Sequence, residues 1–335
     1  MTFLLNPDNH LFKLARSGRR LPHIILAVVL AIVFVIISQL VGGIPAVMIV
    51  MALSMAEMGQ PDFGNVNQMT SLAMPNTALE QVIFLVLAFG PIFLILMLWL
   101  ALFEKRRFRT LGLDVPGGFQ KYLRGLVIGL VMFSASVGIS ALLGFVSLET
   151  GDPKQQGLAA LGGVLFVFVG WMVQGAAEET LTRGWLLPVI GARYNPLLGV
   201  IVSSVVFAAF HSLNPNLNPI AVLNIMLFGL FAALFALYEG GLWGIFSIHS
   251  VWNWAQGNLF GFKVSGVSAA GGTLFNLMEA GPDVITGGSF GPEGGLAVTF
   301  VLLISCGLVW IASRRRVEPA PEPEPPNFLR QPQRH

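Results

Sequence analysis

The sequence predicts an all-α polytopic membrane protein, with about eight transmembrane helices enclosing an intramembrane polar cavity. Three observations predict it. Of 335 residues, 55% are hydrophobic and only 11% charged, where a soluble globular domain carries roughly 25% charged residues. The apolar residues gather into segments long enough to cross about 30 Å of hydrocarbon, which takes about 20 residues of helix. Inside those segments stand a few ionisable residues, Glu178, Glu179, Arg183, His211 and His249. Charge in hydrocarbon is costly, and such groups normally face a cavity or a partner.

In chain order, residues 1–21 form a basic N-terminal segment containing Lys13, Arg16, Arg19 and Arg20. The first apolar run, 22–55, is too long for a signal-peptide core and reads as a retained helix. Within it, Gly42-Gly43-Ile44-Pro45 predicts a kink or a break. Spans follow at 78–103 and 122–148, so residues 22–157 hold three helices and their loops. A core at 158–260 holds four more, at 158–191, 196–215, 218–238 and 242–260. The 158–191 run exceeds one span and must tilt, bend or pass the membrane surface. Residues 261–294 read as a flexible non-cytoplasmic loop, a lid over the site being the other reading. The last span is 295–313. The tail, 314–335, is rich in Pro and Glu, cannot pack a core, and reads as a disordered cytoplasmic segment.

All but Lys154 and Lys263 of the 19 Lys and Arg residues fall on one side of an eight-span arrangement. The positive-inside rule makes that side cytoplasmic and puts both termini there, as in a multi-pass protein of the cell (inner) membrane. The single cysteine, Cys306, excludes an intramolecular disulfide and a cysteine-based metal site. There is no internal repeat, no Gly-rich phosphate loop and no nucleic-acid motif, so the expected partners are the lipid bilayer and a membrane-associated protein or peptide.

The intramembrane polar residues form three patterns: Glu178-Glu179-x-x-x-Arg183, Phe207-x-x-x-His211 and His249-x-x-x-Asn253. At about 1.5 Å rise per residue, Glu178 lies about 18 Å, His211 about 22 Å, His249 about 10 Å and Asn253 about 16 Å from the cytoplasmic ends of their spans. Three separate helices thus bring polar groups to overlapping depths. Residues four apart share a helix face, so His249 and Asn253 point together, Gln174 lies beside Glu178, and Glu179 can pair with Arg183. A carboxylate in a low-dielectric cavity suits a general base toward water. An imidazole and a carboxamide one turn apart suit an oxyanion. Together they describe hydrolysis of an acyl bond, most naturally a peptide. The cavity is expected to open toward the cytoplasmic half of the membrane or sideways to lipid.

Other readings stand beside this one. Glu178, His211 and His249 could be zinc ligands, making the chain a zinc-dependent protease, although no H-E-x-x-H motif is present. Buried Glu, His and Arg also build proton relays, so a proton-coupled carrier, an immunity factor or a scaffold is the non-enzymatic alternative.

The three motifs, Glu-Glu-Thr-Leu-Thr-Arg at 178–183, Phe-Ala-Ala-Phe-His at 207–211 and His-Ser-Val-Trp-Asn at 249–253, resemble those of the CPBP intramembrane endopeptidases. These are also called the Abi or type II CAAX prenyl protease family. The resemblance covers roughly residues 158–260. It implies an endopeptidase needing no metal, in which Glu178 and His211 activate water, His249 and Asn253 stabilise the oxyanion, and Glu179 and Arg183 support the site. It does not select a substrate.

Overall fold

The computed structural model describes residues 3–58 and 64–315. Its principal helices, in chain order, are α1 (Ile24–Ala56), α2 (Ala78–Glu104), α3 (Gly118–Leu142), α4 (Gly157–Arg193), α5 (Pro196–Phe210), α6 (Pro219–Glu239), α7 (Trp243–Trp254) and α8 (Leu296–Arg314). All but α5 and α7 are long and apolar enough to cross a membrane, which makes six such helices. The α5 helix is apolar but shorter, and α7 is prolonged by a π-helical turn, Ala255–Phe260. Helix dominates because backbone in hydrocarbon must close its hydrogen bonds within its own segment. The chain is an all-α multi-pass membrane protein. The expected tail, from residue 316 onward, lies outside the described residues.

Three boundaries differ from those expected. The α1 helix does not break at Gly42-Gly43 but passes through a π-helical turn, Gln39–Gly43. Gly42 lets α2 come close there, since a Cβ would stand 1.8 Å from the Leu87 carbonyl oxygen. The third span stops at Leu142, because Gly144 (φ +76°) turns the chain into β1 (Val146–Leu148). That strand pairs antiparallel with β2 (Leu277–Glu279), with Val146 opposite Glu279. The fifth span stops at Phe210 rather than 215. His211 closes it, and the turn residues that follow include Pro215 and Asn216 (φ 59°).

The α7 helix is the centre of the bundle. Every residue from Gly244 to Asn253 is buried, the mark of a helix enclosed on all sides. It packs on α3 and on α4. Small residues permit the approach to α3: a Cβ at Gly125 would lie 2.3 Å from the Gly244 carbonyl oxygen, and one at Gly129 would lie 2.7 Å from that of Ile248.

Contacts between loops define two ends of the bundle. At one, Arg19 N donates to Glu104 O at 2.8 Å, Leu242 N to Gly112 O at 3.1 Å, and Arg193 to the Leu21 carbonyl. Arg124 pairs with Glu239 here as well. This end carries the basic loops. At the other, β1 meets β2, Gly157 N donates to Thr273 O at 3.0 Å, and Asn214 Nδ2 donates to Ser265 O at 3.1 Å.

The segment expected to be a flexible loop is tied down at this second end. Asn258 Nδ2 donates to the carbonyls of Ala270 (2.9 Å) and Gly272 (3.0 Å). Asn224 Nδ2 donates to those of Glu293 (2.8 Å) and Gly295 (2.9 Å). Residues 261–294 therefore form a wall built on α6 and on the end of α7.

Candidate active site

Glu178 and Glu179 sit in the middle of α4, just before a π-helical turn, Thr180–Leu186. Such turns inside α-helices recur at functional sites. This one lets the long fourth helix continue to Arg193 while re-aiming its side chains. Glu179 is fully buried, and its Oε1 accepts from Arg183 Nη1 at 3.1 Å, the expected i,i+4 pair. The same oxygen also meets His249 Nδ1 at 2.9 Å. Arg183, also fully buried, donates to Thr182 Oγ1 (2.7 Å) and the Gly229 carbonyl (3.1 Å), and its guanidinium lies 4.3 Å from the Phe207 ring centroid. A buried charge is tolerable only when paired and hydrogen-bonded in this way. The second glutamate thus does more than neutralise an arginine: it ties α4 to α7.

That contact fixes a tautomer. An ionised carboxylate only accepts, so His249 carries a proton on Nδ1 and turns Nε2 toward the cavity. There Nε2 lies 3.8 Å from Glu178 Oε2. The ring is held edge-on by Phe228 and Phe207, with centroids 5.1 and 6.0 Å away. His211 obeys the same rule through a different partner. Its Nδ1 lies 2.9 Å from the Phe207 carbonyl, which can only accept, leaving the Nε2 lone pair free. Phe207 packs against both the His211 ring and Arg183.

A third contact chain links Asn253 to Glu178. Asn253 Nδ2 donates to Gln174 Oε1 at 2.9 Å, and Gln174 Nε2 donates to Glu178 Oε1 at 2.7 Å. Glu178 Oε2 has no hydrogen-bond partner in the protein. It is buried and faces His249 Nε2 across 3.8 Å.

Glu178, His211, His249 and Asn253 all line one cavity of about 760 Å³, with Gln174 among them. Glu179 and Arg183 stand behind it. The cavity does not open toward the basic end. Its outer lining comes from the other end of the bundle and includes Met74, Asn214, Ser268 and Glu293. The sideways part of the expectation fares better, because the lining residues Leu40, Ile44 and Leu213 are exposed on the apolar surface. Depth along a helix places the four polar residues but does not say which end of the bundle is plugged.

Two residues of the site were not given their parts by the sequence. Gln174 was placed on the face of Glu178, yet its bridge to Asn253 depends on how α4 and α7 pack. Glu293 was not singled out at all. Its Oε2 accepts from Ser265 N (2.8 Å), Ser265 Oγ (2.7 Å) and Gln256 Nε2 (3.3 Å), and its Oε1 accepts from Trp252 Nε1 (3.3 Å). In sequence it is one more acidic residue in a Gly-Pro-Glu-Gly turn. The only available signal was its nearness to the last span.

The zinc reading finds no support: among the described residues, no three His, Cys, Asp or Glu side chains are grouped to hold a metal ion.

Comparison with curated proteins and with solved structures gave no match. Residues 160–255 match the family model described as type II CAAX prenyl endopeptidase, Rce1-like. The matched segment begins in α4, ends just past α7 and contains all three motifs. The resemblance read from those motifs is borne out: residues 160–255 are similar to the Rce1-like, type II CAAX prenyl endopeptidase family.

Proposed function

We propose that this protein is a glutamate-dependent intramembrane endopeptidase that hydrolyses a peptide bond of a membrane-associated protein or peptide. The observation that carries the reading is the one cavity that Glu178, His211, His249 and Asn253 line together, with an unpartnered Glu178 oxygen and each histidine held through Nδ1. Glu178 and His211 take the proton of a water molecule as it attacks the scissile carbonyl. Asn253 Nδ2 has a second N–H beyond the one held by Gln174. With His249 in its imidazolium form, it donates to the oxyanion of the tetrahedral intermediate. The Glu179 carboxylate compensates that positive imidazolium. Collapse of the intermediate breaks the C–N bond, and the proton held by Glu178 and His211 passes to the leaving amine. The catalytic unit on this reading is residues 158–260. The protein lies in the cell (inner) membrane with both termini cytoplasmic, following its basic loops.

The test is cleavage of membrane proteins by purified wild-type and Glu178→Gln protein, with products identified by mass spectrometry. A fragment formed by the wild type and absent with Glu178→Gln is expected. Retention of the biological effect by Glu178→Gln would instead favour a non-enzymatic immunity or scaffold role.

A further inference from the structure

We infer that the site is entered from the leaflet opposite the basic loops, and that its substrate is an apolar peptide segment standing in that leaflet. The inference rests on the proposed peptidase reading and names the side and the class of its substrate.

Arg183 counted among the basic residues in sequence, but it is fully buried beside Glu179 and says nothing about loops. Among the other described lysines and arginines, Lys154 and Lys263 belong to the end where β1 meets β2. The rest belong to the end joined by the Arg19–Glu104, Arg193–Leu21 and Arg124–Glu239 contacts. Positive charge of that asymmetry marks the cytoplasmic side.

The cavity stands on the other side. Going outward from Glu178 and His249, its lining passes to Asn214 in the α5–α6 turn, to Ser265 and Ser268 in the 261–294 wall, and to Glu293. None of its lining residues comes from the loops of the basic end. Toward that end the bundle is plugged instead. Trp185, Leu242, Ile245 and Ile248 are all fully buried beneath His249. A Cβ at Gly184 would meet Leu242 at 2.8 Å and the Leu111 carbonyl at 3.1 Å. Water and substrate therefore share a route from the non-cytoplasmic half.

The rim selects the class of substrate. Polar groups of the wall offer a path for water, while Leu40, Ile44, Met74 and Leu213 present exposed apolar surface at the rim. Leu213 is 95% exposed. A hydrophilic chain gains nothing from such a rim, whereas an apolar segment already in the leaflet moves along it without leaving an apolar environment.

Two measurements in a Cys306→Ser background test this. Ser268→Cys at the mouth and Arg109→Cys at the basic end are treated with a membrane-impermeant maleimide in intact cells and in inverted vesicles. Labelling of the mouth from outside the cell and of the basic end only in inverted vesicles is expected; the reverse pattern overturns the inference. In detergent, a leucine-rich decapeptide is expected to slow labelling of Ser268→Cys about tenfold at concentrations near ten times its Kd, in a Glu178→Gln protein as well. Equal protection by a serine/glycine decapeptide overturns the substrate class. Protection by the leucine-rich peptide with no cleavage by the wild type would sink the peptidase reading and leave the side of entry standing.

Discussion

The two ends of this bundle bury carboxylates in opposite ways. At the basic end, Glu104 accepts from Trp99 Nε1 (2.9 Å), Trp185 Nε1 (2.6 Å) and Arg106 Nε (2.6 Å). Glu239 accepts from Arg124 and from Gly244 N. These groups are tied to several donors and surrounded by packed side chains. In the cavity, Glu178 has one protein donor, Gln174, and its other oxygen has none. A carboxylate saturated with donors holds helices together; one left with a free lone pair beside an imidazole can take a proton. Both ends contain buried acid, and only the count and identity of the donors separate fastening from chemistry.

Substitutions can break or sharpen that contrast. The largest effect is expected at Glu178. Glu178→Gln should lower kcat by about 10⁴-fold, the upper end of what general acid–base catalysis contributes, in a protein whose thermal unfolding in detergent is little changed. Glu104→Gln should do the opposite, lowering Tm while the folded fraction keeps its kcat. Equal kcat for wild type and Glu178→Gln would erase the distinction between the two ends.

Next comes Glu179, which lies between the two kinds. Glu179→Gln leaves Arg183 buried without its counter-charge, and breaking such a pair costs about 3–5 kcal/mol. The expected result is a lower Tm together with lower activity. Adding Arg183→Met should restore part of the Tm and none of the activity, because His249 still lacks its carboxylate partner. Simple additivity of the two losses in Tm would argue that the pair does not act as one.

Asn253→Ala should cost about 10²–10³ in kcat, the usual loss for one of two oxyanion donors, with Tm near that of the wild type. A smaller loss is expected at the wall. Glu293→Gln weakens charge-assisted bonds from Ser265 and Gln256, worth about 1.5 kcal/mol. It should appear mainly in KM if the wall guides substrate, and in kcat if it acts on the chemistry. The smallest effect belongs to the basic end. Arg124 is half-exposed but its partner Glu239 is buried, so Arg124→Ala should lower Tm, less than Glu179→Gln does because Gly244 N still serves Glu239, and leave turnover untouched.

What could be read in the sequence divides along physical lines. The helices were legible because hydrocarbon imposes length and composition on a span, so apolar runs translate almost directly into α1, α2 and α8. Polar residues at four-residue spacing were legible for the same reason, since spacing on one helix fixes a face: Glu179 with Arg183, and Gln174 with Glu178. Contacts between helices were not. The meeting of His249 with Glu179, rather than with Glu178 alone, depends on how far α7 is rotated against α4. That rotation is set by glycines of α3 and a π-helical turn that no hydrophobic pattern announces. The ends of helices were the weakest point. His211 sits at the closing turn of α5 because turn residues follow it, although apolar content alone carried the span to 215. Which end of the bundle is closed was not legible, because the plug of Trp185, Leu242 and Ile248 reads in sequence as ordinary span.

The bracing of the 261–294 wall also has a consequence for how the protein is made. Glu178, His211, His249 and Asn253 all leave the ribosome before Glu293 does. Until Glu293 arrives, Trp252, Gln256 and Ser265 lack the acceptor that joins them. Asn224 cannot fasten the start of α8 either. The nascent chain therefore carries its reactive side chains for a time without the enclosure around them. On the proposed reading, the enclosure of the site is complete only once the last helix is in place.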